Sequence, residues 1–140
     1  MTQQTVHANC VALGDRGVLI TGASGSGKSA LSLELMAYGA ALVSDDQVTL
    51  ENRNGTLIAT APPSISGLIE ARGFGILKAI ALPQATVVLV VDMDQQATGR
   101  LPDLQVATFL ECALPLHYPA KGLSLGPAIM QFLRGGSSQA

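Results

Sequence analysis

The segment Gly22-Ala23-Ser24-Gly25-Ser26-Gly27-Lys28-Ser29 fits the pattern G-x-x-x-x-G-K-[ST], and each residue type in it has a chemical use. Glycines let consecutive backbone N–H groups turn inward around phosphate oxygens, and a helix that begins at such a loop points its positive end at them. Lys28 reaches the β/γ region of a bound polyphosphate, and Ser29 offers a hydroxyl to Mg²⁺. Every position from Gly22 to Ser29 is therefore a candidate for holding a nucleotide or polyphosphate.

Two sets of carboxylates compete to serve that phosphate. Asp92 closes the run Val87-Val88-Leu89-Val90-Val91, the pattern of an apolar strand whose terminal Asp holds Mg²⁺ in many phosphate-loop enzymes. Asp45 and Asp46 close Ala41-Leu42-Val43-Ser44 instead. Adjacent carboxylates repel each other unless a metal, a cation or a proton holds them, which favours a functional pair. In a parallel strand beside the phosphate loop, one would face the metal or the reacting hydroxyl and the other would orient it. On the residues alone both sets stay open.

The elements that must position these groups are short strands and few helices. Thr5 to Leu13 and Gly17 to Ile20 read as a β-hairpin through Gly14-Asp15-Arg16-Gly17, feeding the loop. The stretch Ser29 to Tyr38 carries Leu31, Leu35 and Tyr38 at helical spacing, with Gly39 as its C-terminal cap. Val48 to Leu50 and Thr56 to Thr60 flank Asn54-Gly55, a strong hairpin signal. Pro62-Pro63 interrupts regular structure, and a short helical turn is expected over Ser64 to Ile69. Ile76 to Leu82, Val87 to Val91 and Ala113 to Leu116 read as strands, Gly126 to Leu133 as a terminal helix, and Gly135 to Ala140 as a disordered tail. The expected architecture is one compact α/β domain over residues 1–134, richer in hairpins than a doubly wound fold.

Composition narrows the setting. The chain has 140 residues, 48% of them hydrophobic and 13% charged, with a net charge of −2, so no basic stripe is present to hold a nucleic-acid backbone. No apolar stretch approaches the roughly 20 residues of a membrane-spanning helix, which argues against a membrane partner. Cys10 and Cys112 stand apart, without zinc-ligand spacing, and Met1-Thr2-Gln3-Gln4 lacks the basic-then-apolar order of a signal peptide. A reducing, cytoplasmic location is the expectation.

Several segments together resemble the catalytic domain of HPr kinase/phosphorylase. They are His7, the loop GASGSGKS, Leu42-Val43-Ser44-Asp45-Asp46-Gln47-Val48, and Ala61-Pro62-Pro63 leading into Ile69-Glu70-Ala71-Arg72-Gly73-Phe74-Gly75-Ile76. They occur in the family's order and near its spacing. The resemblance implies a single-domain phosphate-loop fold similar to phosphoenolpyruvate carboxykinase. It implies an ATP-dependent kinase, with pyrophosphate as another conceivable donor, that phosphorylates a seryl hydroxyl on an HPr-like phosphocarrier and reverses this by phosphorolysis. A role in regulating the phosphotransferase system and carbon metabolism follows, as does a homo-oligomer, a hexamer in the family.

Carried across by position, the resemblance gives Lys28 the phosphates, Ser29 and Glu70 the Mg²⁺, and Asp46 the proton of the target serine. Asp45 would tune Asp46, and His7 would orient it or share its proton. Arg72, in a stretch similar to the family's Arg-Gly-x-Gly, would meet phosphate charge. In the second half, Gly99-Arg100-Leu101 resembles the family's Asp-Arg-Leu-Gly and makes Arg100 a candidate catalytic cation, while Lys121 stands at best where the family has an Arg. Between Ile76 and Val87 the chain is shorter than the long family members, which carry there a mobile Gly-rich loop. By this resemblance the chain is expected to be a short form of the alphaproteobacterial type, without the N-terminal domain of the long members. These departures predict a forward reaction faster than its reverse. A small-molecule kinase and a nucleotide sensor without turnover are the alternatives; the chain lacks an Arg-rich lid, against the first, and Asp46 with Glu70 speaks against the second.

Overall fold

The computed structural model describes residues 3–138. Strands β1 (Gln3–Leu13) and β2 (Arg16–Thr21) form the hairpin that the turn residues predict, with Ala8 opposite Thr21 and Leu13 opposite Arg16. The phosphate loop follows, then α1 (Lys28–Ala37). Next come β3 (Ala41–Ser44), β4 (Gln47–Arg53), β5 (Thr56–Thr60), a 3-10 turn at Pro63–Ile65, β6 (Leu68–Ala71) and β7 (Gly75–Lys78). The remainder is β8 (Ala85–Asp92), β9 (Gln105–Phe109), β10 (Cys112–His117) and α2 (Leu125–Gly135).

Five strands close on one another: β1 pairs β2 and β4, β4 pairs β5, β5 pairs β8, and β8 returns to β2. Side chains alternate across this ring with the period of two that strands impose. Ala8, Cys10 and Ala12 of β1 point to an interior filled by Leu19, Val48, Leu50, Leu57 and Val87. Val11, Val18, Ile20, Leu89 and Val91 face outward and are covered by Leu31 and Leu35 of α1 and by Ile129, Met130 and Leu133 of α2. The two apolar faces explain why β2 and the end of β8 read as continuous apolar runs. β10 and β9 extend the sheet from β8, and β6 with β7 make a separate two-stranded ribbon.

Several features depart from the expectations. β3 does not lie parallel beside the phosphate loop: it pairs antiparallel with β1, and the strand parallel to β2 is β8. The expected helical turn over Ser64 to Ile69 is confined to Pro63–Ile65, after which the chain extends into β6, and the strand expected over Ile76 to Leu82 ends at Lys78. There the Ala79 N–H turns to the Gly67 carbonyl and Ala81 bridges Leu42, just before Pro83. β9 and its hairpin with β10 carry no turn signal, because Leu110 (φ 49°) and Glu111 (φ 68°) take the left-handed conformations that usually go to Gly or Asn. At the other end α2 includes Gly135, which the sequence placed in the tail, while Gln139 and Ala140 lie outside the described residues.

Candidate functional site

β2 and β8 run parallel and end together, with Thr21 in register with Asp92. Ligand sites in α/β folds gather beyond such carboxyl ends, and here the loop leaves β2 at that point. Gly22 has φ 144°, and a β-carbon on it would lie 2.6 Å from Ser26 Oγ, so no other residue fits the turn. Gly27, at φ 102°, occupies the position before α1 and provides no side-chain cap to the first N–H groups of the helix. Ser26 Oγ is buried without a hydrogen-bond partner among the described residues. The Lys28 side chain is buried and its Nζ donates to the carbonyls of Gly22 (2.9 Å) and Ala23 (3.1 Å). A loop with surplus donors and a buried ammonium fits a polyphosphate.

The cleft over this loop encloses about 310 Å³. Its walls bring together Ser24, Gly25, Gly27, Lys28 and Ser29 from the loop and helix, Asp46 from the turn between β3 and β4, and Glu70, Ala71 and Arg72 from the β6–β7 ribbon. Arg72 Nη1 stands 3.5 Å from where a β-carbon on Gly25 would sit, so the guanidinium lies against the loop.

β3 and β4 are one path along β1, broken at Asp45-Asp46. The pairs on either side, Cys10 with Ser44 and His7 with Gln47, set Asn9 opposite Asp45. Asp46 takes φ 71°, a conformation that Asp tolerates better than most residues, and the break turns the two carboxylates to separate partners. The Asp45 carboxylate is buried: Oδ1 accepts from Ser29 Oγ (2.7 Å) and Asn9 Nδ2 (2.7 Å), and Oδ2 accepts from the Glu70 N–H (2.9 Å). It thereby ties α1, β1 and β6 together, a different task from the tuning of Asp46 expected from the sequence. Asp46 Oδ1 instead meets His7 Nε2 at 2.9 Å, and this pair is open, with side-chain exposures of 63% and 47%.

Asn9 escaped the sequence reading. It is fully buried, donates to Asp45, to Ser32 Oγ (3.0 Å) and more weakly to Ser29 Oγ (3.4 Å), and accepts the Asp46 N–H at 2.9 Å. The signal was an asparagine within the apolar run of β1, since buried polar side chains are retained where they have partners. Asp92, the rival carboxylate, does not line the cleft; its Oδ1 accepts the Asp94 N–H. Arg100 is exposed on the 93–104 connection and does not line the cleft either, so the cations that the structure gathers there are Lys28 and Arg72. The bridge between Ala97 and Ala120 holds that connection against the chain after β10.

Among the described residues no cluster of three or more His, Cys, Asp or Glu side chains could enclose a metal. Mg²⁺ needs no such cage where substrate phosphates supply the rest of its shell, and the Ser29 hydroxyl and the Glu70 carboxylate are hard oxygen donors of the right kind. No helix among the described residues is long and apolar enough to cross a membrane.

Loop, cleft and sheet define an α/β domain with a glycine-rich loop at the carboxyl end of β2. Residues 1–97 match the family model described as the HPr Serine kinase C-terminal domain, and the chain belongs to that family. An HPr kinase/phosphorylase of Clostridium acetobutylicum is 34% identical over 127 residues, which are 86% of this chain and 41% of the relative. One of Clostridium kluyveri is 50% identical over 66 residues, 47% of this chain and 21% of the relative. The chain thus spans less than half the length of these curated relatives. The solved structure of the Hpr(Ser) kinase/phosphatase from Coxiella burnetii superposes with a TM-score of 0.79 at 30% identity, covering 94% of this chain and 88% of that one. The α/β fold read from the sequence is the family's fold.

Proposed function

We propose that this domain transfers the terminal phosphoryl group of ATP to a serine hydroxyl of an HPr-like phosphocarrier protein. The observation that carries the reading is the meeting, in one cleft, of a phosphate loop with its lysine and an exposed carboxylate paired to a histidine. A loop alone would suit a sensor; an accessible base at its mouth suits transfer to a large acceptor. The names of the relatives support HPr as that acceptor.

In this reading Lys28 exchanges the carbonyls of Gly22 and Ala23 for phosphate oxygens, and the N–H groups at the head of α1 complete the cradle. Arg72 approaches from the ribbon and neutralises charge on the transferring group. Ser29 and Glu70 would hold Mg²⁺, which would supply charge neutralisation at the donor's phosphates. Asp45, accepting from the Ser29 hydroxyl, fixes the direction of that oxygen. Asp46 Oδ takes the serine proton as the acceptor oxygen attacks, and its bond to His7 Nε2 holds the carboxylate in place. Phosphorolysis needs a second phosphate in line with the phosphoserine; with Lys28 and Arg72 as the cleft's cations, the forward reaction is favoured. The free, buried Cys10 and Cys112 support a reducing, cytoplasmic setting.

The test incubates the purified chain with labelled MgATP and the HPr-like protein of the same cell, followed by phosphosite mapping, with Lys28→Ala as control. Label on one serine, absent with Lys28→Ala, is the expected result. No transfer to that protein, with label appearing on nucleosides or sugars in a parallel screen, overturns it.

A further inference from the structure

We propose that Asp94 is a positioning residue of the phosphate loop, fixing from outside the cleft the Gly22–Ala23 peptide at which the loop begins. The proposal rests on the nucleotide reading above but concerns a residue which that reading does not use.

Asp94 lies beyond β8 and its carboxylate accepts the Ala23 N–H through both oxygens, at 3.1 and 3.0 Å. The carbonyl of that same peptide, Gly22 O, accepts Lys28 Nζ at 2.9 Å. One peptide unit therefore lies between an anion and a cation, its dipole aligned with both. Hydrogen bonds chained in this way polarise one another, and each terminal bond is charge-assisted. The carboxylate thereby fixes the plane of this peptide, and with it the path of the loop, without touching Lys28.

Asp94 is itself held. Its N–H donates to Asp92 Oδ1 (2.9 Å), and the Met93 N–H donates to the Thr21 carbonyl (2.8 Å), so the end of β8 is tied to the end of β2 where the loop begins. Met93 supports the loop from beneath: its Cβ lies 3.1 Å from where a β-carbon of Gly22 would sit. Asp94 does not line the cleft, so its carboxylate does not compete for the anion site. Its effect is preorganisation, holding the loop in the shape the phosphates require. The position of Asp92, which by pattern belonged to a metal ligand, is thereby accounted for: it caps the turn that presents Asp94.

The test is calorimetric titration of MgATP and of pyrophosphate into the wild-type chain, Asp94→Ala and Asp94→Asn, with thermal unfolding of each without ligand. Loss of a charge-assisted bond at a partly solvated site predicts that Asp94→Ala raises Kd for both ligands about 10-fold. Asp94→Asn keeps one acceptor oxygen but not the charge, so its Kd should fall between those of wild type and Asp94→Ala, and the unfolding midpoints should agree within about 3 °C, as expected for an exposed residue. Wild-type affinity in Asp94→Ala, a weaker affinity in Asp94→Asn than in Asp94→Ala, or a loss that tracks a midpoint lowered by about 10 °C would each overturn the proposal. Failure of the wild-type chain to bind either ligand would instead overturn the nucleotide reading beneath it.

Discussion

Replacing Asn9 by alanine should be among the most damaging single changes to this domain, and the structure sets the size of the effect. Asn9 is fully buried and donates at 2.7 Å to the buried Asp45 carboxylate. Loss of a hydrogen bond to a charged partner is worth about 2 kcal/mol. The Asp46 N–H, which gives its hydrogen bond to Asn9 Oδ1 at 2.9 Å, loses that partner for a further ~1–2 kcal/mol. The expected destabilisation is about 3–4 kcal/mol, a large share of the ~5–15 kcal/mol by which domains are folded. Urea unfolding followed by circular dichroism measures it, and a double-mutant cycle with Asp45→Asn should return a coupling of about 1–2 kcal/mol. A destabilisation of Asn9→Ala below about 1 kcal/mol, or additivity with Asp45→Asn, would refute the reasoning.

Three further outcomes are expected. Glu70→Gln and Ser29→Ala should raise the Mg²⁺ concentration needed for half-maximal transfer without abolishing nucleotide binding, read from metal titrations of the kinase rate. Burial pushes the Cys10 thiol up from 9.0 to about 12, so it should resist alkylation at pH 8 until the chain unfolds; the same shift means that its contribution to stability is complete below pH 9 and is lost as pH rises towards 12, measurable as a falling denaturant midpoint. Pyrophosphate release from phosphoserine-HPr at millimolar phosphate should be slower than forward transfer at millimolar ATP, compared on one enzyme preparation.

What the sequence made legible was local. The glycine-rich loop stands out because its residues are consecutive, and the β1–β2 and β4–β5 hairpins carry Gly14 and Asn54-Gly55 at their turns. The roles of Asn9 and Asp94 depend on register between strands distant in the chain: Asn9 meets Asp45 only because β3 and β4 run along β1, and Asp94 meets Ala23 only because β8 lies beside β2. For the same reason the contest between Asp92 and the Asp45-Asp46 pair could not be decided by pattern. An Asp at the end of an apolar strand reads alike whether it lines a cleft or caps a turn. The β9–β10 hairpin stayed hidden because its turn uses Leu110 and Glu111 in left-handed conformations, against their local preference.

The central claim is that phosphoryl transfer takes place in the cleft bounded by Lys28, Asp46 and Arg72. Its most direct test compares Asp46→Asn with Asp92→Asn, measuring MgATP affinity and the rate of serine phosphorylation on the same preparations. Asp46→Asn should bind the nucleotide nearly as well as wild type while losing about 10²–10⁴-fold in rate, the usual worth of a positioned general base, and Asp92→Asn should lose far less. An inactive Asp92→Asn beside an active Asp46→Asn would contradict the account.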